Sequence, residues 1–414
     1  MLFARFLRSL VRRGELTLID ASGRVHRMGD PESGPSVTIR LHDPRLHVGL
    51  WFNPRLKVGE AYMNGGLTIE EGSLYDFLLL AGINAGEGPL NRWDLAMLHV
   101  RRLWRGLEQA NPLGRAQRNV AHHYDLSGEL YDLFLDPDRQ YSCGYFRSPD
   151  STLEEAQEAK KRHIAAKLRL EPGQHVLDIG SGWGGLALYL ARTAGVRVTG
   201  ITLSKEQHQV SRRRAVEEGL AELVDFQLRD YRQVSGTFER IVSVGMFEHV
   251  GTPHYGEFFA KIQALLAEDG VALLHTIAHR EPPTNTNPWL RKYIFPGGYC
   301  PSLSEILPVT ERKGLWVTDV EIWRLHYAET LRHWRQRFVA NWDRATALFD
   351  ERFCRMWEFY LAGCEVAFRH QGNMVAQIQL TKSVEALPMT RDYMLDWERA
   401  HTPAHAARRL KSVS

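Results

Sequence analysis

Residues 176–185 read VLDIGSGWGG, and the fold of the chain can be predicted from this segment outward. An apolar, strand-like segment runs into a glycine-rich turn, after which a helix is predicted to begin near Trp183. Glycine lets the backbone turn sharply and approach a bound ligand closely. The order of strand, glycine turn and helix predicts the first unit of an α/β fold with a cofactor loop at its head.

Strand and helix signals alternate along the chain from this point to about residue 380. The seven predicted strands read QHVLDIG, VRVTGITL, VDFQLRD, RIVSVG, VALLHTIA, WVTDVEIW and VAQIQLTK. Helical segments such as GLALYLARTA and the charged stretch that starts at Ser204 lie between most of them. This alternation predicts a mainly parallel, doubly wound, Rossmann-like sheet covered on both faces. Ligands bind such sheets beyond the carboxyl ends of the strands.

The residues around the glycine turn favour S-adenosylmethionine over a nicotinamide cofactor. The glycine spacing in 180–185 fits either one. The second strand, however, ends in Thr-Leu-Ser at 202–204, where an NAD enzyme carries an acid for the ribose. Asp178 would repel a pyrophosphate but suits a cofactor that carries a sulfonium and an ammonium group. Asp230 and Tyr231, after the third strand, are predicted to serve the adenine end.

Reactive side chains follow the next three strands. Glu248 follows the fourth strand, His275 is predicted to end the fifth, and Tyr327 follows the sixth. Cys143 lies in an aromatic segment, RQYSCGYF, that precedes the sheet. Each residue alone also has an ordinary structural explanation, such as a helix cap, a core histidine or a packed cysteine. Together at one edge of the sheet they predict a chemical site.

The chain resembles the cyclopropane-fatty-acyl-phospholipid synthase family. The resemblance rests on KVGEAYMNGG, YSCGYF, LEEAQEAKKRHIAAKL, VLDIGSGWGG, ITLSKEQ, GMFEHVG, LLHTI, KYIFPGG and the segment around Tyr327. These motifs stand in the family order and cover almost the whole chain. The family loop often carries Cys where this chain has Ser181, which is a small change.

The resemblance implies a methyltransferase that forms cyclopropane rings at cis double bonds of phospholipid acyl chains. A carbocation on the acyl chain would be deprotonated by bound bicarbonate. By resemblance, the residues that contact the cofactor are Tyr141, Ser142, Gly180, Gly182, Thr202, Leu203, Gln207 and Tyr231. Those at the bicarbonate are Cys143, Glu248, His275, Ile277 and Tyr327. His275, Tyr327 and backbone N–H groups would donate to the anion, while Glu248 would orient His275 or accept the bicarbonate hydroxyl hydrogen.

Aromatic rings attract a cation without capturing it, so several are candidates to face the carbocation. They are Tyr141, Tyr145, Phe146, Phe247, Trp289, Tyr293 and Phe295, of which some are expected to be only core. Residues 279–306, rich in Pro, Gly and aromatics, predict a lid that excludes water. A contact in a homodimer is the alternative role for this segment.

Composition sets the remaining expectations. The chain has 414 residues, of which 44% are hydrophobic and 24% charged, and its net charge of +3 is too small to indicate nucleic-acid binding. Four widely spaced cysteines indicate a reducing compartment and no metal site. The sequence contains no run of about 18 apolar residues, so it predicts no transmembrane helix. We therefore expect a cytoplasmic protein that associates peripherally with the inner face of the membrane, its partners being the phospholipid surface and unsaturated acyl chains.

The predicted domains are a small N-terminal α+β domain at 1–95, a helical linker at 96–124, the catalytic domain at 125–383 and a tail of unknown role at 384–414. A helix over residues 2–13 would place four arginines among its apolar residues. It fits either a membrane interface or docking on its own domain.

Two other functions fit the same residues. One is a fatty-acyl C-methyltransferase that stops at a methyl-branched or methylene product. The other is a lipid-binding or scaffold protein without catalysis, against which the complete set of site residues argues.

Overall fold

A computed structural model describes residues 2–85 and 128–402. The first of these ranges forms a small unit. Its strands are β1 (Gly14–Ile19), β2 (Val25–Asp30), β3 (Ser36–Leu41) and β4 (Leu67–Glu71), and its helices are α1 (Leu2–Leu10), α2 (Leu46–Phe52), α3 (Pro54–Met63) and α4 (Leu74–Asn84). The strands form one sheet in the order β2-β1-β3-β4. Alternating buried residues of β1, such as Leu16 and Leu18, face the core of this unit.

Helix α1 is docked on its own unit. Phe3 and Leu7 are buried in the same apolar cluster as Leu18 and Ile39, while the arginines of the helix point to solvent. Of the two roles considered for the N-terminal helix, docking is therefore the one that the structure shows.

The second range forms the large α/β unit. Its strands are β5 (His175–Ile179), β6 (Arg197–Thr202), β7 (Val224–Leu228), β8 (Phe238–Val244), β9 (Leu266–His279), β10 (Trp316–Trp323) and β11 (Asn373–Thr381). They form one sheet in the order β10-β11-β9-β8-β5-β6-β7. The pairs from β9 to β7 are parallel, whereas β11 runs antiparallel to both of its neighbours. All seven predicted strands are confirmed, as is the α/β class.

Helices surround this sheet. They are α5 (Gly128–Asp132), α6 (Leu153–Leu168), α7 (Gly185–Ala194), α8 (Lys205–Glu217), α9 (Tyr255–Leu265), α10 (Pro288–Tyr293), α11 (Leu303–Arg312), α12 (His326–Ala340), α13 (Trp342–Leu348), α14 (Glu351–His370) and α15 (Asp392–Ala400). Helix α7 begins at Gly185, two residues later than predicted. Helix α8 is capped by Ser204, whose side chain accepts from the Gln207 N–H, as the sequence predicts.

Helix α14 joins the two units, because it packs on α3 and α4. The Tyr62 hydroxyl donates to Glu358 over 2.6 Å, and the Arg335 guanidinium lies 4.5 Å from the centre of the Tyr75 ring. Helix α10 lies equally close to α3, since a Cβ built on Gly59 would come within 2.5 Å of the Trp289 indole nitrogen. The N-terminal unit is thereby held against the inserted segment that follows β9.

A predicted linker and a predicted tail flank the catalytic part. The predicted linker at 96–124 lies outside the described residues. The predicted tail at 384–414 contains helix α15, which packs on α6, so part of it is folded against the catalytic part. The domain bounds themselves stay predictions. No helix within 2–85 or 128–402 combines the length and the apolar character needed to cross a bilayer.

The α4–α14 contact predicts opposite effects for two glycine-to-alanine changes. A Cβ at Gly82 would lie 2.4 Å from Val366 Cγ1, a stiff β-branched side chain, so Gly82→Ala should destabilise the protein by about 1–3 kcal/mol. Gly363, across the same contact, has nothing nearer than Leu78 at 4.0 Å, so Gly363→Ala should stabilise it by about 0.5–1 kcal/mol. Thermal unfolding measures both, and an equal shift in the two variants would contradict this account of the contact.

Candidate active site

The backbone conformation of the turn after β5 explains why glycine occupies positions 180 and 182. Gly180 and Gly182 have φ values of +88° and +55°, which L side chains rarely adopt. A Cβ at Gly180 would lie 2.9 Å from Met246, whereas Gly182 faces open space. The N–H groups of Gly180 and Ser181 both donate to the Ile201 carbonyl over 2.9 Å, which ties the turn to β6. The turn is therefore fixed without any ligand, and its open side faces a cavity.

This cavity lies at the carboxyl ends of β5, β6, β7 and β8. Its walls come from the loops that follow these strands and from the segment 139–142. All ten residues predicted to contact the cofactor line it: Tyr141, Ser142, Asp178, Gly180, Gly182, Thr202, Leu203, Gln207, Asp230 and Tyr231. The parallel arrangement of the strands brings these separate segments to one place.

Asp178 is buried beneath this cavity. Its Oδ2 atom accepts no hydrogen bond from the residues that the structure describes. Burial raises the pKa of Asp178 to about 7, although the charge of Lys160 acts in the opposite direction. A buried carboxylate that lacks a donor is costly unless a ligand supplies one. The ammonium group of S-adenosylmethionine can donate to this oxygen, and the sulfonium adds a second positive charge, so the residues present fit this cofactor.

Two residues of α6 hold the wall segment 139–142 in place. Lys160 is fully buried and donates to Gln140 Oε1 over 2.6 Å and to Ser142 Oγ over 2.8 Å. Gln157 Nε2 donates to the Ser142 carbonyl over 2.9 Å. Burial lowers the pKa of Lys160 to about 8. Sequence reasoning missed both residues, although polar side chains on a helix that is buried almost all round are a signal for such a role.

The far end of the cavity is formed after β6 and β7. Thr202 Oγ1 donates to Gln207 Oε1 over 2.9 Å, which links the end of β6 to α8. Asp230 accepts from Arg232 Nε and Nη2 over 2.9 and 2.8 Å, and the Arg232 guanidinium lies 5.5 Å from the centre of the Tyr231 ring. Asp230 thus fixes Arg232 beside Tyr231, whose largely buried ring is a wall of the cavity.

Glu248 lies in a short 3₁₀ helix after β8. Its Oε1 atom accepts from the Ile277 N–H over 2.6 Å, while Oε2 is buried and accepts no hydrogen bond from the described residues. Burial raises the pKa of Glu248, against the effect of the Ile277 N–H. The Tyr299 N–H donates to the Glu248 carbonyl over 2.9 Å, so the inserted segment after β9 is anchored at this residue. Whether that segment moves as a lid stays a prediction.

His275 differs from its predicted position. It does not end its strand, because β9 continues to His279 by pairing with β11. Gln377 of β11, rather than Glu248, is hydrogen-bonded to the ring: its Nε2 donates to His275 Nδ1 over 3.1 Å, which leaves the ring proton on Nε2. Burial lowers the pKa of His275 to about 3, so the imidazole is neutral. Sequence reasoning missed Gln377, a fully buried polar residue in the middle of β11.

Tyr327 and Cys143 lie in one apolar cluster together with Ile277. Tyr327 is in the first turn of α12, and its ring lies 4.7 Å from that of Phe368. Cys143 is fully buried, and burial raises the pKa of its thiol, so it is present as a neutral thiol rather than a thiolate. Its Sγ donates to the Gly144 carbonyl over 3.3 Å.

Tyr141 connects this apolar cluster to the cofactor cavity. It lines the cavity, stacks on Trp334 at 5.2 Å, and shares a 2.8 Å hydrogen bond with the Tyr360 hydroxyl. Phe295 from the insert packs edge-on against Tyr360 at 5.5 Å. An apolar, aromatic wall therefore stands directly beside the cofactor cavity.

The other predicted site residues fall into two groups. Glu248 contacts Ile277 directly, Cys143 and Tyr327 share a cluster with Ile277, and His275 reaches the same cluster through Trp323. Among the aromatic candidates, Phe247 instead stacks on Tyr255 at 4.3 Å within a different core cluster, and Phe146 stacks on His333. Phe247 is therefore a core residue, whereas Phe146 is only partly buried.

Comparison with known proteins identifies the family of the chain. The family model for mycolic acid cyclopropane synthetase matches residues 112–378. The chain belongs to this family. It is 38% identical over 84% of its length to the cyclopropane-fatty-acyl-phospholipid synthase of Escherichia coli, 88% of which is covered. It is 37% identical over 87% of its length to a probable fatty acid methyltransferase of Pseudomonas putida, 92% of which is covered.

Solved structures show the same fold as this chain. A cyclopropane synthase from Mycobacterium tuberculosis is 34% identical, with a TM-score of 0.61, over 64% of this chain and 97% of that one. A mycolic acid cyclopropane synthase complexed with SAH and CTAB is 36% identical, with the same TM-score and the same coverage. The chain is an S-adenosylmethionine-dependent methyltransferase.

The raised pKa of Asp178 leads to a prediction about how cofactor affinity depends on pH. The carboxylate binds the cationic cofactor and the neutral acid does not, so affinity should fall about tenfold between pH 8 and pH 6 as a group with a pKa of about 7 is protonated. Asp178→Asn should weaken binding at least about tenfold at pH 8 and remove most of this dependence. Titration calorimetry measures both effects, with Asp225→Asn, at an exposed carboxylate, as the control.

The same variant separates binding from folding. The pKa of Asp178 is raised in the folded protein, so its ionisation destabilises the cofactor-free fold as the pH rises above the unfolded value of about 4. At pH 8 we therefore expect Asp178→Asn to raise the melting temperature by about 2–5 °C. A lower melting temperature together with weaker binding would mean that Asp178 is structural instead.

Proposed function

We propose that this methyltransferase transfers a methylene carbon from S-adenosylmethionine to cis double bonds of phospholipid acyl chains and forms cyclopropane rings. The observation that carries the proposal is the shared wall at Tyr141, which has the cofactor cavity on one side and the aromatic cluster on the other. An acyl chain needs an apolar surface of this kind next to the methyl donor. The name of the Escherichia coli relative supports the same substrate class.

When bound, the cofactor supplies a strongly electrophilic methyl group, and the residues of the chain provide the rest. Transfer of the methyl to a double bond leaves a cation on the acyl chain. The faces of Tyr141, Tyr360 and Phe295 present negative quadrupole charge without a nucleophilic atom, which stabilises such a cation. The insert, anchored at Glu248 and packed on α3 through Trp289, would keep water away.

Ring closure requires a base that removes one proton from the added methyl group. The electron pair of that C–H bond then forms the third bond of the ring, and the base carries the proton away. We propose bicarbonate as the base, held by Glu248 and His275. Glu248 Oε2 suits the bicarbonate hydroxyl, and the neutral His275 has its proton on Nε2, where it can donate to the anion. Tyr327 is the proposed third donor.

We also propose that the protein associates peripherally with the inner face of the membrane, where its substrate resides. Three apolar side chains of α2 are exposed on neighbouring turns: Val48, Trp51 and Phe52. Exposed Arg45 and Arg55 flank them in sequence. Aromatic rings beside cations are suited to the interface of an anionic bilayer.

The test is a product analysis on vesicles of phosphatidylglycerol and phosphatidylethanolamine with monounsaturated chains. With the cofactor, we expect each converted chain to gain the mass of one CH₂ and to show the high-field proton signals of a cyclopropane ring. The protein should float with these vesicles in a density gradient. Unchanged lipid mass would overturn the proposal, and replacement of both Trp51 and Phe52 by Ser should reduce flotation while leaving turnover of detergent-dispersed lipid unchanged.

A fatty-acyl C-methyltransferase is the second candidate. The Pseudomonas putida relative, a probable fatty acid methyltransferase, favours it. Its methylene product has the same mass as a ring, since both add CH₂, but shows vinylic protons instead of high-field ones. A methyl-branched saturated product is two hydrogens heavier and would require a reductant. The proton spectrum and the mass together therefore distinguish all three products.

The proposed base site predicts a separation of kcat from cofactor affinity. Glu248→Gln and His275→Ala should each lower kcat by about 100-fold or more while the Kd for S-adenosylmethionine changes less than about threefold, because both residues lie outside the cofactor cavity. Glu257→Gln, at an exposed carboxylate, is the control. Wild-type activity should also fall when bicarbonate is stripped from the buffer and return when it is added. If activity does not change when bicarbonate is removed, the assignment of bicarbonate as the base is wrong, whereas the assignment of the product still stands.

A further inference from the structure

Helix α15, beyond the family match that ends at residue 378, is joined to the catalytic part through a buried histidine. His163 of α6 lies between two carboxylates. Glu398 of α15 is 2.6 Å from its Nδ1, and Glu321 of β10 is 2.7 Å from its Nε2. The histidine is largely buried, so these contacts are shielded from solvent.

This geometry sets the charge of His163. Ionised carboxylates only accept hydrogen bonds, so a ring with a carboxylate on each nitrogen must carry a proton on both. The two contacts raise the pKa of His163 against the effect of burial, and they lower the pKa of Glu398. His163 is therefore an imidazolium whose ring plane is fixed from both ends.

A series of aromatic ring contacts connects His163 to His275. Tyr145 stacks on His163 at 4.6 Å with an interplanar angle of 12°, and on His326 at 4.9 Å on its other face. Trp323 contacts Tyr145 at 4.8 Å and meets the His275 ring edge-on at 5.0 Å. The Trp323 indole N–H is buried and makes no hydrogen bond to the described residues, so ring packing alone orients it.

Other charges lie beside this arrangement. Lys167 of α6 donates to Glu321 over 2.5 Å and to Asp319 over 3.3 Å, and Arg391, next to α15, also pairs with Asp319. The positive charges of Arg147 and Arg162 also lower the pKa of Glu398. Helix α15 and the residue before it are attached at several points: Glu398 contacts His163, the Tyr393 hydroxyl accepts from Gln379 Nε2 over 2.8 Å, and Arg391 pairs with Asp319. Of these contacts, the one from Glu398 reaches the ring stack.

We infer that Glu398 is a positioning residue for His275: it fixes the His163 imidazolium, and the rings of Tyr145 and Trp323 carry that constraint to the catalytic imidazole. This inference rests on the proposed role of His275. It assigns a purpose to the chain segment after residue 383, for which the sequence indicates none.

Glu398→Gln tests the inference, with Arg391→Gln, at another attachment of the same segment, as the matched control. Both variants should lower the melting temperature slightly. Glu398→Gln should lower kcat about tenfold, with KM for lipid and Kd for S-adenosylmethionine unchanged within about twofold, because a small displacement of a catalytic group slows chemistry rather than binding. Arg391→Gln should leave kcat within about twofold of wild type.

A second measurement does not depend on turnover. In protein labelled with ¹⁵N-histidine, the His275 ring signals, identified by their loss in His275→Ala, should shift in Glu398→Gln and not in Arg391→Gln. Equal kcat losses in the two variants, or unmoved His275 signals, would overturn the inference. If the wild-type protein formed no cyclopropane product, the proposed function would fail, whereas the His275 signals would still report whether Glu398 constrains that ring.

Discussion

The burial of an ionisable carboxyl without a partner is the constraint on which the site depends. Asp178 lies at the end of β5, in the centre of a sheet whose strands are apolar on both faces, and the turn after it is fixed by hydrogen bonds to β6. Because the backbone cannot relax around it, the carboxyl keeps its unfavourable environment until a cationic ligand arrives. Affinity for the cofactor and reduced stability of the empty protein therefore have one origin.

The site has two chemically different halves that share a wall. The cofactor half is polar and is built from loops at the ends of parallel strands. The other half is aromatic and is built from α12, α14 and the insert after β9, with a few buried polar groups at its edge. Glu248 and His275 lie at that edge, and each is held by a residue distant in sequence. The Ile277 N–H donates to Glu248, and the Gln377 side chain donates to His275.

Much of this arrangement could be predicted from the sequence because its signals are local. The seven strands are apolar runs bounded by turns, and the cofactor residues follow those strands directly, so a correct sheet places them together. The contacts that could not be predicted are long-range side-chain pairs. Gln377 with His275, Lys160 with Ser142, and Glu398 with His163 depend on register and packing that no local pattern encodes. The end of β9 was misplaced for the same reason, since pairing with β11 extends it. The domain bounds and the homodimer stay predictions.

The position of Tyr141 has a thermodynamic consequence. One side chain borders both halves and is hydrogen-bonded to Tyr360 on the aromatic side, so a ligand in one half that moves Tyr141 would change the wall of the other. Linkage would require such an effect to be mutual: the factor by which one ligand changes the affinity of the second equals the factor by which the second changes the affinity of the first. This reciprocity concerns the two binding free energies, and the order in which the products leave is set separately by their release rates.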